Sequence, residues 1–155
     1  MKPKFVDYYM KIAEVTANLS YAKRLQVGAV IVKDNQILAT GYNGMPSGWE
    51  NNCEIELMDF PDESVDDSLP LNVRLQTKPE VLHAETNAIA KVSQSTESSK
   101  DATLFVTHAP CLECAKLIYQ AGIKTVYYKE QYRSDAGLSF LNLSGIHVHK
   151  HSNSI

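Results

Sequence analysis

Residues 81–91 read VLHAETNAIAK and residues 108–115 read HAPCLECA. Between them they set a histidine two residues ahead of a glutamate, and two cysteines three apart behind a proline. Cys111 and Cys114 at the start of a helix over 111–121 direct both sulfurs to one side of the first turn. Pro110 suits that place, because first-turn N–H groups have no intrahelical partner to lose. The positive end of the helix dipole favours the thiolate form of both. Two thiolates and one imidazole make three ligands for zinc, a count that leaves the fourth tetrahedral position open for catalysis. His83 is the expected third ligand. Residues two apart lie about 200° from each other on a helical wheel, so His83 and Glu85 can serve one site only where their helix begins. Glu85 can then sit beside the open position as a proton carrier without ligating. Each piece also has a plainer reading. The cysteine pair could be a redox dithiol or two small buried residues, His83-Ala84-Glu85 a helix start, and Cys53 could close a structural Cys3His zinc site.

Outward from these stretches the pattern is regular. Phe5, Tyr9, Ile12, Thr16 and Leu19 recur at helical spacing and predict a helix over 3–20. VGAVIVKDNQILATGYNG reads as two β-branched strands, 27–33 and 36–41, turning at Asp34-Asn35. Further on, a helix is expected over 81–92, a strand over 103–107, the 111–121 helix stopped by Gly122, a strand at KTVYY, a helix over 135–144 and a last strand at IHVHK. The order α-β-β-α-β-α-β-α-β implies a mixed sheet with helices packed on it, its first two strands antiparallel. Residues 45–80 carry Pro46, Gly48, Pro61, Pro70 and Pro79 and read as a long excursion without periodic structure.

The chain has 155 residues, enough for one domain, spanning 1–155. No apolar run approaches the roughly 20 residues that cross a bilayer, so no membrane partner is expected. MKPKFVDYYMKIAEV lacks an apolar signal core, which makes the cytoplasm the expected location and a metal or catalytic role the expected use of the thiols. The net charge of −3 conceals an asymmetry: nine of the eighteen acids, and no Lys or Arg, lie between Lys33 and Arg74. An acidic segment on a mildly basic body argues against a nucleic-acid coat and leaves room for a small anionic ligand. His147, His149 and His151 share a strand face, but with no thiolate or carboxylate nearby they read as an exposed edge strand.

His83-Ala84-Glu85 with Pro110-Cys111-Leu112-Glu113-Cys114 resembles the H-x-E…P-C-x-x-C signature of the zinc nucleobase deaminases. That resemblance implies the cytidine-deaminase-like three-layer α/β/α sandwich with a five-stranded mixed sheet. VGAVIVKDNQILATGYNGMPSG, HAETNAI and CAKLIYQAGIKTVYY are similar to the deoxycytidylate (dCMP) deaminases of the cytidine/deoxycytidylate deaminase family, over about residues 5–150. Free-nucleoside cytidine deaminases carry Cys where His83 stands. Transfer-RNA adenosine deaminases have a shorter link from the substrate Asn to the His.

The resemblance implies zinc-dependent hydrolysis of dCMP to dUMP and ammonia, feeding thymidylate synthesis, with Zn²⁺ on His83, Cys111 and Cys114 and Glu85 moving protons. It places Asn43 against the sugar, the Ala84 N–H against the base carbonyl and 108–110 near the leaving amine. His108 reads as a pocket wall more readily than as a second acid. For a 5′-phosphate the candidate cations are Arg24, then Arg133 beside Tyr132, with Lys129 nearby. The resemblance further implies a homo-oligomer, often a hexamer, activated by dCTP and inhibited by dTTP with Mg²⁺ on the triphosphate, at Gly41, Tyr42, Asn43 and Gly44. Ala22 stands where some viral relatives have a cysteine of a second zinc, which would leave Cys53 unpaired. The pared-down chain leans viral, which would place it in a host cytosol. Two other readings stay open: a deaminase of a modified deoxycytidylate such as 5-hydroxymethyl-dCMP or of another small nucleotide, and an inactive zinc scaffold.

Overall fold

A computed structural model describes residues 1–58 and 73–152 of the chain. Helix α1 spans Pro3–Ala17, and strands β1 (Gly28–Lys33) and β2 (Gln36–Tyr42) follow as an antiparallel hairpin. Its two turn residues, Asp34 and Asn35, have φ of 50° and 60°. This is the left-handed conformation that a two-residue hairpin turn requires and that Asp and Asn tolerate. Next come β3 (Glu54–Met58), β4 (Val73–Thr77), α2 (Ala84–Ser93), β5 (Thr103–His108), α3 (Leu112–Gln120), β6 (Thr125–Glu130), α4 (Ala136–Leu143) and β7 (His147–Lys150). The main sheet has five strands in the order β2-β1-β5-β6-β7. Strand β1 runs antiparallel to both neighbours, whereas β5, β6 and β7 run parallel.

The strand alternation sorts side chains to the two faces. Val30, Val32 and Phe105 meet Val6, Tyr9, Met10 and Ala13 of α1 on one face. Ala29, Ile31, Leu104, Val106 and Val126 meet Ala88 and Ile89 of α2, Ala115 and Ile118 of α3, and Leu138 and Leu141 of α4 on the other. The result is the expected α/β/α sandwich around a mixed sheet.

Three details differ from the sequence reading. The buried stripe of α1 is Val6, Tyr9, Met10, Ala13, Thr16 and Ala17, while Leu19 lies beyond the helix and is exposed. The second half of the stripe turns to small residues, Ala13, Thr16 and Ala17, because there the helix lies close against β1: a Cβ on Gly28 would come within 2.0 Å of the Ala13 carbonyl oxygen. Second, the excursion is not structureless, since β3 and β4 pair antiparallel from Glu54↔Thr77 to Met58↔Val73 as a separate ribbon. The alternation of EIELM and VRLQT is strand-like, but the prolines around it drew the reading toward loop. The acid-rich middle of the excursion, 59–72, lies outside the described residues. Third, His147 and His149 are exposed on the edge strand β7, but His151 lies past its end with its side chain largely buried, its Nε2 donating to Asp7 Oδ1 at 2.8 Å.

Strands β5 and β6 end at His108 and Glu130 on one edge of the sheet, and the N-terminus of α3 opens beside that edge. The start of α2 is brought there by a bridge between Gly44 and Leu82, whose N–H and C=O groups exchange hydrogen bonds at 3.0 and 2.8 Å. Gly41 makes this approach possible: a Cβ there would lie 2.2 Å from the Ala84 carbonyl oxygen and 2.6 Å from the Ala88 nitrogen. Both atoms belong to backbone that cannot swing aside. Gly41→Ala is therefore expected to destabilise the protein by about 1–3 kcal/mol, the usual cost of overpacking. Denaturant unfolding measures this, and a midpoint equal to wild type would show that α2 has room to move.

Candidate active site

Three side chains converge where α2 and α3 begin. His83 is the N-cap residue of α2 and Cys111 that of α3, both with extended backbone. Cys114 follows within the first turn of α3 and is buried. The His83 Nδ1 lies 3.3 Å from the Cys114 sulfur and 3.6 Å from the Cys111 sulfur. All three ligand atoms fall within 4.8 Å of one another, the one such group among the described residues. Tetrahedral zinc, with Zn–S near 2.3 Å and Zn–N near 2.0–2.1 Å, separates nitrogen from sulfur by about 3.5 Å. The donors thus fit the ion in both type and spacing.

The electrostatics of the bare cluster agree with that use. The Cys111 thiol is pushed down to about 4 by hydrogen bonding to Cys114 and His83, while Cys114 is pushed up by the same contact and by burial. The two sulfurs are thus driven in opposite directions by their contact, and a metal ion, which binds both as thiolates, would relieve that conflict. His83 is pushed up, chiefly by its contact with Cys111. Gly137 on α4 packs on the chain that carries this ligand: a Cβ there would come 2.0 Å from the Pro110 carbonyl oxygen and 2.9 Å from the Cys111 carbonyl atoms. Nothing in the sequence near Cys111 signals that contact, since Gly137 follows a full strand later.

Glu85, on the first turn of α2, is only 4% exposed. Burial raises its carboxyl above the ordinary range, opposed by a hydrogen bond from its own backbone N–H and by the nearby His83. A carboxyl shifted upward in this way is suited to both take and give a proton near neutrality. It opens onto a cavity of about 490 Å³ that is also lined by His83, Ala84 and Cys111.

The same cavity gathers most of the other sequence candidates: Asn43, Arg24, Tyr132, Arg133 and His108 all line it. Ala84 is the first residue of α2, so its N–H is one of the donors without an intrahelical partner. The Asn43 amide accepts from the Val27 N–H and donates to the Leu25 carbonyl, both at 2.8 Å, which pins the loop before β1 to the cavity wall. Arg133 lies over the Tyr132 ring at 5.9 Å. His108 contacts Thr107 Oγ1 through Nδ1 at 3.0 Å, and burial pushes its pKa down, toward a neutral ring.

Other candidates fall elsewhere. Lys129 pairs with Glu14 on the α1 face, because side chains alternate along β6 and its neighbour Tyr128 takes the opposite face. Gly41, Tyr42 and Gly44 do not line the cavity, and Gly41 has a packing role instead. Cys53 sits apart from the ligand cluster, buried with Ala22 and Val81, its thiol donating to the Asn51 carbonyl at 3.4 Å. Thr77 and Glu130 also line the cavity and were missed, as was Arg74 in an adjoining one. Arg74 had one signal, being the first base after the acid-rich stretch.

Comparison with known proteins agrees with this geometry. Residues 3–130 match the family model described as the cytidine and deoxycytidylate deaminase zinc-binding region. ComE operon protein 2 of Bacillus subtilis is 38% identical over 83% of this chain, which spans only 60% of that protein's length. Human deoxycytidylate deaminase is 37% identical over 93% of this chain and 78% of its own length. The crystal structure of dCMP deaminase from the cyanophage S-TIM5 in complex with dCMP and dUMP superposes with a TM-score of 0.81, at 43% identity, covering 97% of this chain and 99% of that one. The chain belongs to the cytidine and deoxycytidylate deaminase family.

Proposed function

We propose that the chain, as one deaminase domain over 1–155, converts dCMP and water to dUMP and ammonia. The observation that carries this reading is the meeting of a three-ligand cluster, a buried Glu85 and a cavity lined by two arginines, Arg24 and Arg133. Relatives named deoxycytidylate deaminase and a cyanophage enzyme crystallised with dCMP and dUMP support the choice of substrate. Zn²⁺, which His83, Cys111 and Cys114 would hold, would supply a water acidified toward neutrality. Glu85 takes one proton from the attacking water and gives it to N3 of the pyrimidine as C4 gains the oxygen. It then takes the second proton from the new C4 hydroxyl and gives it to the departing amino group, so that ammonia leaves neutral. The Ala84 N–H holds the base carbonyl, Asn43 faces the sugar, and the 108–110 segment walls in the leaving group. Arg24 and Arg133, with Tyr132 beside them, receive the 5′-phosphate as charge-assisted donors.

The finer reading adds control. dCTP with Mg²⁺ activates and dTTP with Mg²⁺ inhibits, acting through Gly41, Tyr42, Asn43 and Gly44 in a homo-oligomer, a hexamer, in the cytoplasm or a host cytosol. Support comes from placement: Gly41 packs on the α2 helix that carries Glu85, and Gly44 bridges to Leu82, next to His83. A ligand that shifts this segment would shift the catalytic helix start.

Ultraviolet-monitored deamination of dCMP, CMP and deoxycytidine tests the assignment, each alone and with Mg²⁺ plus dCTP or dTTP. Turnover favouring dCMP is expected, raised by dCTP and lowered by dTTP. Absence of dCMP turnover by protein holding one zinc per chain would overturn the activity. Indifference to both triphosphates would remove the regulation alone.

A further inference from the structure

The β3–β4 ribbon contributes no side chain to either hydrophobic cluster of the sheet, so the core does not explain it. What it does build is a second compartment that adjoins the active-site cavity and shares residues with it. This space, about 480 Å³, shares Arg24, Thr77, His83, Tyr132 and Arg133 with the first and adds Arg74. Four consecutive residues of β4, from Arg74 to Thr77, line it, so it runs along the strand. Among the described residues its walls hold three arginines and no carboxylate.

The ribbon also holds one of those arginines in place from two directions. Arg24 Nη1 donates to Thr77 Oγ1 of β4 at 3.1 Å. The Lys23 and Arg24 N–H groups both donate to Glu54 Oε1 of β3, at 2.8 and 3.1 Å. Glu54 is 3% exposed, and among the described residues its second side-chain oxygen has no hydrogen-bond partner. A carboxyl group buried on so small a ribbon is costly, and both hydrogen bonds that Oε1 accepts come from the turn that carries Arg24. Arg133 is steadied separately, by the Tyr132 ring.

Three arginines lining one compartment suit a phosphate, which accepts paired N–H donors, better than any uncharged group. We infer that the β3–β4 ribbon is the element by which this enzyme distinguishes a nucleoside monophosphate from a nucleoside. Arg74 is its specificity-determining residue, and Glu54 and Thr77 are positioning residues for Arg24. The inference rests on the reading of the substrate as a nucleotide. It also explains why the excursion is mainly acidic yet opens onto a basic space: Arg74, the first base after its acid-rich stretch, is set at the compartment wall.

The test compares wild type with Arg74→Ala and Thr77→Val as zinc-loaded protein. It reads kcat/KM for dCMP against deoxycytidine, and the calorimetric affinity for dUMP against deoxyuridine. Loss of one charge-assisted contact to phosphate is expected to cut the dCMP-over-deoxycytidine ratio in Arg74→Ala by about ten- to a hundredfold, chiefly through the KM for dCMP. Thr77→Val should lower it less, and Arg74→Lys should recover part of the loss because the charge remains without the planar fork. A ratio within about twofold of wild type in both Arg74→Ala and Thr77→Val, including one produced by equal losses on both substrates, would overturn the inference. If the wild-type protein deaminated neither substrate, the activity reading would be the one at fault. The affinities for dUMP and deoxyuridine would still decide what the compartment holds.

Discussion

Glu85→Gln should leave a folded protein with its zinc and lower kcat about 10²- to 10⁴-fold, the range that a positioned acid–base group contributes. The substitution keeps the shape of a side chain that is only 4% exposed, so packing at the start of α2 has no reason to change. It removes only the ability to take a proton at one moment and return it at the next. Glutamine can still accept a hydrogen bond, which makes the change in KM for dCMP smaller than the change in kcat. The comparison needs three numbers from one preparation: kcat, KM and zinc per chain. Retention of turnover to within tenfold of wild type, with zinc in place, would mean that another group carries the proton. His108 would be the first candidate, since its ring lines the same cavity.

The second large effect concerns the ligands. Cys114→Ser and Cys111→Ser should each abolish zinc retention after dialysis and with it all measurable turnover. A serine hydroxyl stays protonated where a thiolate is required. Cys114 is the more sensitive position because it is buried in the first turn of α3, whereas Cys111 is half-buried at the rim of the cavity. Metal binding is also folding free energy here. Chelation of the wild-type protein should therefore lower the thermal midpoint as well as the activity, and added Zn²⁺ should restore both. A Cys114→Ser protein that kept one zinc per chain and full turnover would be incompatible with the cluster described above. Loss of the midpoint shift on chelation would instead separate catalysis from stability, leaving the ligands in place.

Much of the site could be read from the chain because its parts are local. A cysteine pair three apart after Pro110 requires a helix N-terminus to be useful, and a histidine two ahead of a glutamate requires another. The helices begin within a residue or two of where those requirements put them. The hairpin at Asp34-Asn35 was legible for the same reason, since two adjacent residues carry the turn. The ribbon was harder. EIELM and VRLQT alternate like strands, but each is only five residues long in a proline-rich stretch, and it is their pairing with each other that settles them as β3 and β4. The α1 stripe was legible at Tyr9 and Thr16, with Phe5 and Ile12 packed at its margin. Leu19 was included wrongly and Ala13 and Ala17 were passed over, because alanines escape a search for large apolar groups.

The phosphate end shows the boundary most clearly. Sequence can say that a cation is wanted and puts Arg24 first, then Arg133 with Lys129 nearby, but it passes over Arg74. The fold separates them: alternation along β6 sends Lys129 to the α1 face and Glu14, while the ribbon and the β6–α4 loop bring the three arginines to one compartment. By itself the sequence determined the family, the candidate metal donors His83, Cys111 and Cys114, and the two helix starts that present them and Glu85, because each depends on neighbours within a turn of chain. The tertiary structure alone decided which distant charges share the cavity and which glycines admit the helices to it. Those choices depend on strand register and on backbone approaches of a few ångströms, between residues that the chain itself keeps tens of positions apart.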